Sequence, residues 1–119
     1  MKRLSLLLCL ALPLAASAST TSEYSTIVKW VDAHNITQFM GKCTARFGVV
    51  GVSGPLAYDI SCPSFKDAHV VVYPDTKLAS IDNRVPARVS YPVKNTISLF
   101  TGDGETLTFI LPDCTKDEC

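Results

Sequence analysis

The stretch Cys43-Thr44-Ala45-Arg46-Phe47-Gly48-Val49, followed after a turn by Tyr58-Asp59-Ile60-Ser61-Cys62, decides the fold. Apolar side chains recur at every second residue in both halves: Cys43, Ala45, Phe47 and Val49, then Tyr58, Ile60 and Cys62. A period of two is the signature of a strand that buries one face. The residues between are Gly51-Val52-Ser53-Gly54-Pro55, a composition that favours a turn. With the turn centred on Val52-Ser53, Phe47 faces Tyr58, Ala45 faces Ile60 and Cys43 faces Cys62. Every inward residue then meets an inward residue, and two cysteines meet across the strands. This register predicts a Cys43–Cys62 disulfide.

Working outward, Ala68 to Tyr73 is an apolar run broken only by His69, as in a strand covered on both faces. Pro74-Asp75 ends it. Val85, Ala87, Val89, Tyr91 and Val93 alternate with Pro86, Arg88, Ser90 and Pro92. Two prolines on the outward side predict an edge strand. Ile97 and Leu99, then Leu107, Phe109 and Leu111, flank Gly102-Asp103-Gly104. A three-residue loop with a left-handed Gly puts Leu99 opposite Leu107 and Ile97 opposite Phe109. Ile27, Trp30, Val31 and His34 fall at helical spacing, with Ser22 or Ser25 as a cap and Gly41 as the stop. A strand is the competing reading of that segment. The expectation is a mainly β protein: a small antiparallel sandwich or barrel of about six strands, with one short N-terminal helix.

The N-terminus carries Lys2 and Arg3, an apolar stretch from Leu4 to Leu14, and Ala16-Ser17-Ala18. These are the three parts of a secretory signal peptide, expected over residues 1–18. The apolar stretch is too short for a membrane span, and no later segment suggests a stable membrane anchor. A flexible Ser/Thr-rich lead-in is expected over 19–26 and one domain over 27–119. Export predicts a secreted or periplasmic protein. Without the leader the five cysteines become Cys43, Cys62, Cys114 and Cys119. An even count in a short exported chain predicts two disulfides, the second being Cys114–Cys119. The rival pairing joins Cys43 or Cys62 to Cys114. The charge without the leader is slightly acidic, which gives no footprint for nucleic acid.

Each motif that could carry chemistry has a plainer reading. Gly51-Val52-Ser53-Gly54 lacks the second Gly of a nucleophile elbow, because Pro55 stands there. His34 and His69 are the only histidines, with Asp32 and Asp67 each two residues upstream. On a strand that spacing puts acid and imidazole on one face, but no nucleophile accompanies them. Zinc spacings are missing, and Cys114 and Cys119, with Asp113, Asp117 and Glu118, read as a local disulfide among solvated acids. The tail Lys116-Asp117-Glu118-Cys119 lacks the terminal Leu of a retention signal. Asn35-Ile36-Thr37 is a formal glycosylation acceptor. No cofactor or metal is expected.

The residues therefore point to a small secreted, non-enzymatic binding protein: an effector, an inhibitor or an adhesin-like module. Its partner would be another protein or a surface glycan, met by loops on a rigid scaffold. The candidate loops are 51–56, 63–68, 74–84 and 101–105, with Ser53, Phe65, Lys77, Asp82, Asn83 and Arg84 as contact residues; Tyr73, like Phe65, lies near a strand end where a binding loop could use it, against a plainer reading as core. The alternatives are a small hydrolase or isomerase built on a His/Asp pair, and a subunit of an extracellular assembly.

Overall fold

The computed structural model describes residues 21–50, 54–83, 85–116 and 118. These form eight antiparallel strands: β1 Thr21–Val31, β2 Thr37–Val49, β3 Leu56–Ser61, β4 Asp67–Tyr73, β5 Leu78–Ile81, β6 Val85–Ser90, β7 Thr96–Thr101 and β8 Thr106–Ile110. A single 3-10 turn follows at Cys114–Lys116. Each strand pairs with the next, and β8 closes on β1, with Val28 opposite Phe109 and Trp30 opposite Leu107. The result is an up-and-down barrel with no free edge.

Both hairpins stand in the register that the apolar pattern predicts. Phe47 pairs with Tyr58 and Ala45 with Ile60. Cys43 and Cys62 are bonded, their Cα atoms 4.5 Å apart. At the other hairpin Leu99 pairs with Leu107 and Ile97 with Phe109. Gly104 is left-handed, with φ at 90°. The Cys114–Cys119 pairing lies outside the described residues, because Cys119 is not among them.

The strand count differs, for two physical reasons. Residues 27–34 do not form a helix. Thr21–Val31 is one long strand, and residues 21–26, expected as a lead-in, are its first half. Its inward residues are Tyr24, Thr26, Val28 and Trp30, while Ile27 faces out. A polar residue inside and an apolar one outside conceal the alternation. Barrel closure satisfies Thr26: its hydroxyl donates to the Ile110 carbonyl and accepts the Ile110 N–H, both at 2.9 Å. The second missed strand, Leu78–Ile81, has only Ala79 and Ile81 pointing inward. It lies between left-handed Lys77 and Asp82, which read as loop residues.

Two further expectations change. The strand at 85–93 is not an edge. β6 ends at Ser90 and is paired on both sides, and Pro86 sits at its start, opposite Ser80. Tyr91 and Val93, expected inward, lie beyond the strand and are exposed. Gly41 does not end an element. It pairs with Val28 inside β2, and a Cβ there would come within 3.2 Å of the Phe39 ring.

Eight strands leave an interior that side chains just fill. Phe109, Ile97, Leu99, Leu107, Val28, Val70 and Val72 are its most deeply buried members. The outward positions carry Glu23, Lys29, Lys42, Arg46 and Asp59, all exposed.

Candidate binding surface

Antiparallel pairing lines up outward side chains in rows across the wall, and two such rows differ sharply in chemistry. The first crosses β1 to β4: Glu23 opposite Arg46, Arg46 opposite Asp59, Asp59 opposite His69. The Asp59 carboxylate is hydrogen-bonded to Nδ1 of His69. Asp82, in the turn after β5, accepts the His69 N–H at 2.9 Å and returns its own N–H to the His69 carbonyl at 2.7 Å. Glu23, Arg46, Asp59, Asp67, His69 and Asp82 border a shallow depression of about 580 Å³.

The second row crosses β4 to β7: Tyr73 opposite Leu78, Leu78 opposite Arg88, Arg88 opposite Phe100. Tyr73, Leu78 and Phe100 are 45%, 46% and 45% exposed. The Arg88 guanidinium lies 5.7 Å from the centre of the Phe100 ring. Three open depressions follow this row, of about 450, 330 and 300 Å³. Leu78 and Pro86 border the first two, and Arg88 and Phe100 border the last two, so they form one ridged trough. Among the described residues, no acidic side chain borders any of the three.

The two arginines make the contrast plain. Arg46 stands between two carboxylates, whereas Arg88 stands between a leucine and a phenylalanine. Among the described residues neither guanidinium makes an ion pair or a hydrogen bond, so the two differ in their neighbours; Arg88 lies against the Phe100 ring. Other exposed apolar residues are more diluted. Ile27 faces Lys42 and Met40 faces Lys29, so each sits beside a lysine.

The residues singled out from the sequence fall at two opposite ends of the barrel. Strand direction puts residues 32–36, 62–66, 82–83 and 102–105 at one end, and residues 50, 54–55, 74–77 and 91–95 at the other. The expected loop 74–84 is therefore divided, because β5 runs through it: Lys77 lies at one end, Asp82 and Asn83 at the other. Ser53 and Arg84 lie outside the described residues. Phe65 shares the end of Asp82 and packs against the core. It stacks on Phe39 at 4.9 Å and meets Trp30 edge-on at 5.9 Å. Lys66 caps this cluster, its Nζ 3.9 Å from the Trp30 ring centre. Phe65 thus plugs a barrel mouth. Asn83 does border the trough, beside Tyr73.

No protein-family model matches the chain, and no characterised protein or solved structure matches it. What the chain can do rests on its own geometry.

The His/Asp spacings resolve differently from each other. Asp67 and His69 do share one outward face, but the imidazole binds Asp59 on the next strand. Among the described residues no hydroxyl or thiol is hydrogen-bonded to it. Asp32 organises a turn: Oδ1 accepts the N–H groups of Ile36 and His34 at 2.9 and 2.8 Å, and Oδ2 accepts from Gln38 at 2.7 Å. The hydrogen bond from Ile36, with those from His34 and Gln38, holds its pKa below the ordinary carboxylate value. Asp113 is held low in the same way, chiefly by the Thr115 hydroxyl. Leu78, Pro86, Arg88 and Phe100 are not among the contact residues that the sequence suggests, although its alternation places Pro86 and Arg88 on an outward face. Phe100 was detectable: once Ile97 and Leu99 are assigned inward, an aromatic at 100 must point out.

Proposed function

We propose that the chain is an exported, non-enzymatic protein-binding module whose contact surface is the barrel wall at Tyr73, Leu78, Pro86, Arg88 and Phe100. The observation that carries this reading is the row itself: three apolar side chains, each close to half exposed, with one unpaired arginine among them. Tyr and Arg are the residue types enriched at energetic hot spots of interfaces, and Phe at interface cores. The trough runs across a paired sheet, so its shape is set before any partner arrives. The Cys43–Cys62 disulfide and the leader-like N-terminus support an oxidising compartment.

This moves recognition from the loops to the wall. Of the expected contact residues, Asn83 stays at the rim of the trough, and Lys77 lies one residue before Leu78. Replacing Phe100 with the photoreactive p-benzoylphenylalanine tests the reading. Crosslinking in the extracellular fluid of the source should give a discrete protein adduct from position 100 and none from position 27. Residue 27 is as exposed as residue 100 but lies in the β1–β2 wall. Equal adducts from both positions would show that the wall does not discriminate, and the reading would fall.

A further inference from the structure

We infer that the partner is a segment of a different protein that presents a carboxylate flanked by apolar side chains, with the carboxylate seated on Arg88. This rests on the reading of the Tyr73–Phe100 wall as a protein-binding surface and adds the chemistry of what binds there.

The inference starts from what Arg88 lacks. A guanidinium carries five N–H donors in a planar fork that matches a carboxylate. The Phe100 ring, its centre 5.7 Å away, attracts the guanidinium as a cation and supplies no oxygen acceptor to its N–H edge. Among the described residues, no acceptor meets that edge. Leu78 and Phe100 flank Arg88 in register, and Pro86 and Ser90 flank it along β6. All its outward neighbours are uncharged. A carboxylate arriving here would meet one cation on an apolar floor, where partial loss of water strengthens the pair. The depressions on either side of the Arg88–Phe100 ridge, about 330 and 300 Å³, would take the partner's apolar side chains.

Other occupants fit less well. Nucleic acid and anionic lipid surfaces are held by several cations acting together. This row offers one. A second copy could bring the acidic depression of the opposite wall, with Glu23, Asp59, Asp67 and Asp82. In that depression Arg46 already stands between Glu23 and Asp59, and the Asp59 carboxylate is already hydrogen-bonded to His69.

The probe is a displayed library of random 12-residue peptides, panned on the oxidised chain. Selected sequences should share an Asp or Glu between apolar residues. In one synthesised peptide, changing that acid to its amide should weaken binding at least tenfold. Arg88→Gln should weaken the parent peptide by a similar factor, and the two losses should not multiply. Arg88→Lys should recover only part of the affinity, since it keeps the charge and loses the fork. Arg46→Gln should change affinity less than twofold. Near-ultraviolet circular dichroism, unchanged in each variant, would show that the fold is intact.

Selected peptides with no shared acid would overturn the inference. So would an acid whose loss is indifferent to Arg88. In both cases, sensitivity to Tyr73→Ala and Phe100→Ala would leave the wall standing as a protein-binding surface. Indifference to all three positions, or failure to select any peptide, would remove both readings. Binding to phosphatidylserine vesicles that Arg88→Gln abolishes would reassign the site to membrane. A discrete oligomer in sedimentation that Arg88→Gln dissociates would reassign it to a second copy.

Discussion

The barrel has two unequal halves. One is built from β1 to β4, of 11, 13, 6 and 7 residues, and holds the Cys43–Cys62 staple. The other is built from β5 to β8, of 4, 6, 6 and 5 residues, with no staple among its described residues. The charged row crosses the first half. The apolar row starts on β4 and runs mainly over the second. Where the wall is longest and covalently closed, its outer face carries a row of charged side chains, Glu23, Arg46 and Asp59, with His69 hydrogen-bonded to Asp59. Where it is shortest, its outer face is apolar and holds an unpaired cation. On the proposed reading, scaffold and recognition are divided between the halves, as expected when binding surfaces draw on the less protected parts of a fold.

Removing the staple is the strongest way to break this contrast. Cys43→Ser with Cys62→Ser should cost about 3 kcal/mol, from the loop entropy restored to the unfolded chain. For a domain of this size that lowers Tm by on the order of 10–20 °C. Amide hydrogen exchange of the intact chain should show β2 and β3 better protected than β5 and β6. After the substitution that difference should shrink, with β2 and β3 losing the most. Equal protection in the intact chain would mean that the halves are not distinct.

Alkaline titration sharpens the same contrast, because two buried tyrosines sit in the stapled half. Tyr58 lies on β3, and burial, with Tyr91 nearby, pushes its phenol up to about 12. Tyr24 lies on β1, and burial raises its pKa further still; its hydroxyl donates to the Ile110 carbonyl at 3.0 Å. A tyrosine whose folded pKa is raised keeps its proton after the unfolded chain has lost it. Stability is therefore full below about pH 10 and falls as pH rises from 10 towards 12. Each tyrosine should contribute a loss on the order of 2 kcal/mol by pH 12, read from urea midpoints. Tyr58→Phe should remove part of that slope. Asp32 acts at the other extreme. Its pKa is lowered, so the stability it gives the 32–36 turn is present at neutral pH and lost as pH falls through its folded value.

Much of this division was legible in the residues and some was not. The hairpin joining β2 and β3 was readable, disulfide included, because the inward phase of each strand is unbroken from residue 43 to 49 and from 58 to 62. The hairpin of β7 and β8 was readable for the same reason, helped by Gly104. β1 was obscured because Thr26 is buried and Ile27 exposed, and the hydrogen bonds that make this acceptable come from Ile110, on a strand 84 residues away. No local pattern carries that information. β5 was obscured by brevity. Once β5 is missed, the wall row containing Leu78 cannot be assembled, so Tyr73, Arg88 and Phe100 look like scattered residues. The site was hidden by a missing register and not by unusual composition. The Asp59–His69 pair was hidden likewise, since it joins neighbouring strands whereas sequence spacing favoured Asp67.

The Asp59–His69 pair gives a smaller test. Both side chains are well exposed, 60% and 41%. A double-mutant cycle on Asp59→Asn and His69→Gln should give a coupling of about 0.2–1 kcal/mol, weakening with added salt. A coupling above about 2 kcal/mol would mean that the charged row holds the stapled half together. The division of labour would then lie between two stabilising networks.

The smallest effect is the most discriminating for Arg88. If its purpose is recognition, the folded chain gains little from it, because Leu78 and Phe100 offer it no charge and an exposed cation–π contact is worth about 0.5–1 kcal/mol. Arg88→Gln should therefore shift stability by no more than about 1 kcal/mol, read from the urea midpoint of the oxidised chain. Arg46→Gln, which leaves Glu23 and Asp59 without the cation between them, should cost at least as much. If Arg88→Gln instead cost 1.5 kcal/mol or more, its stacking on Phe100 would be a structural clamp across β6 and β7. The guanidinium would then be committed to the fold, and the apolar row would lose the charge that distinguishes it.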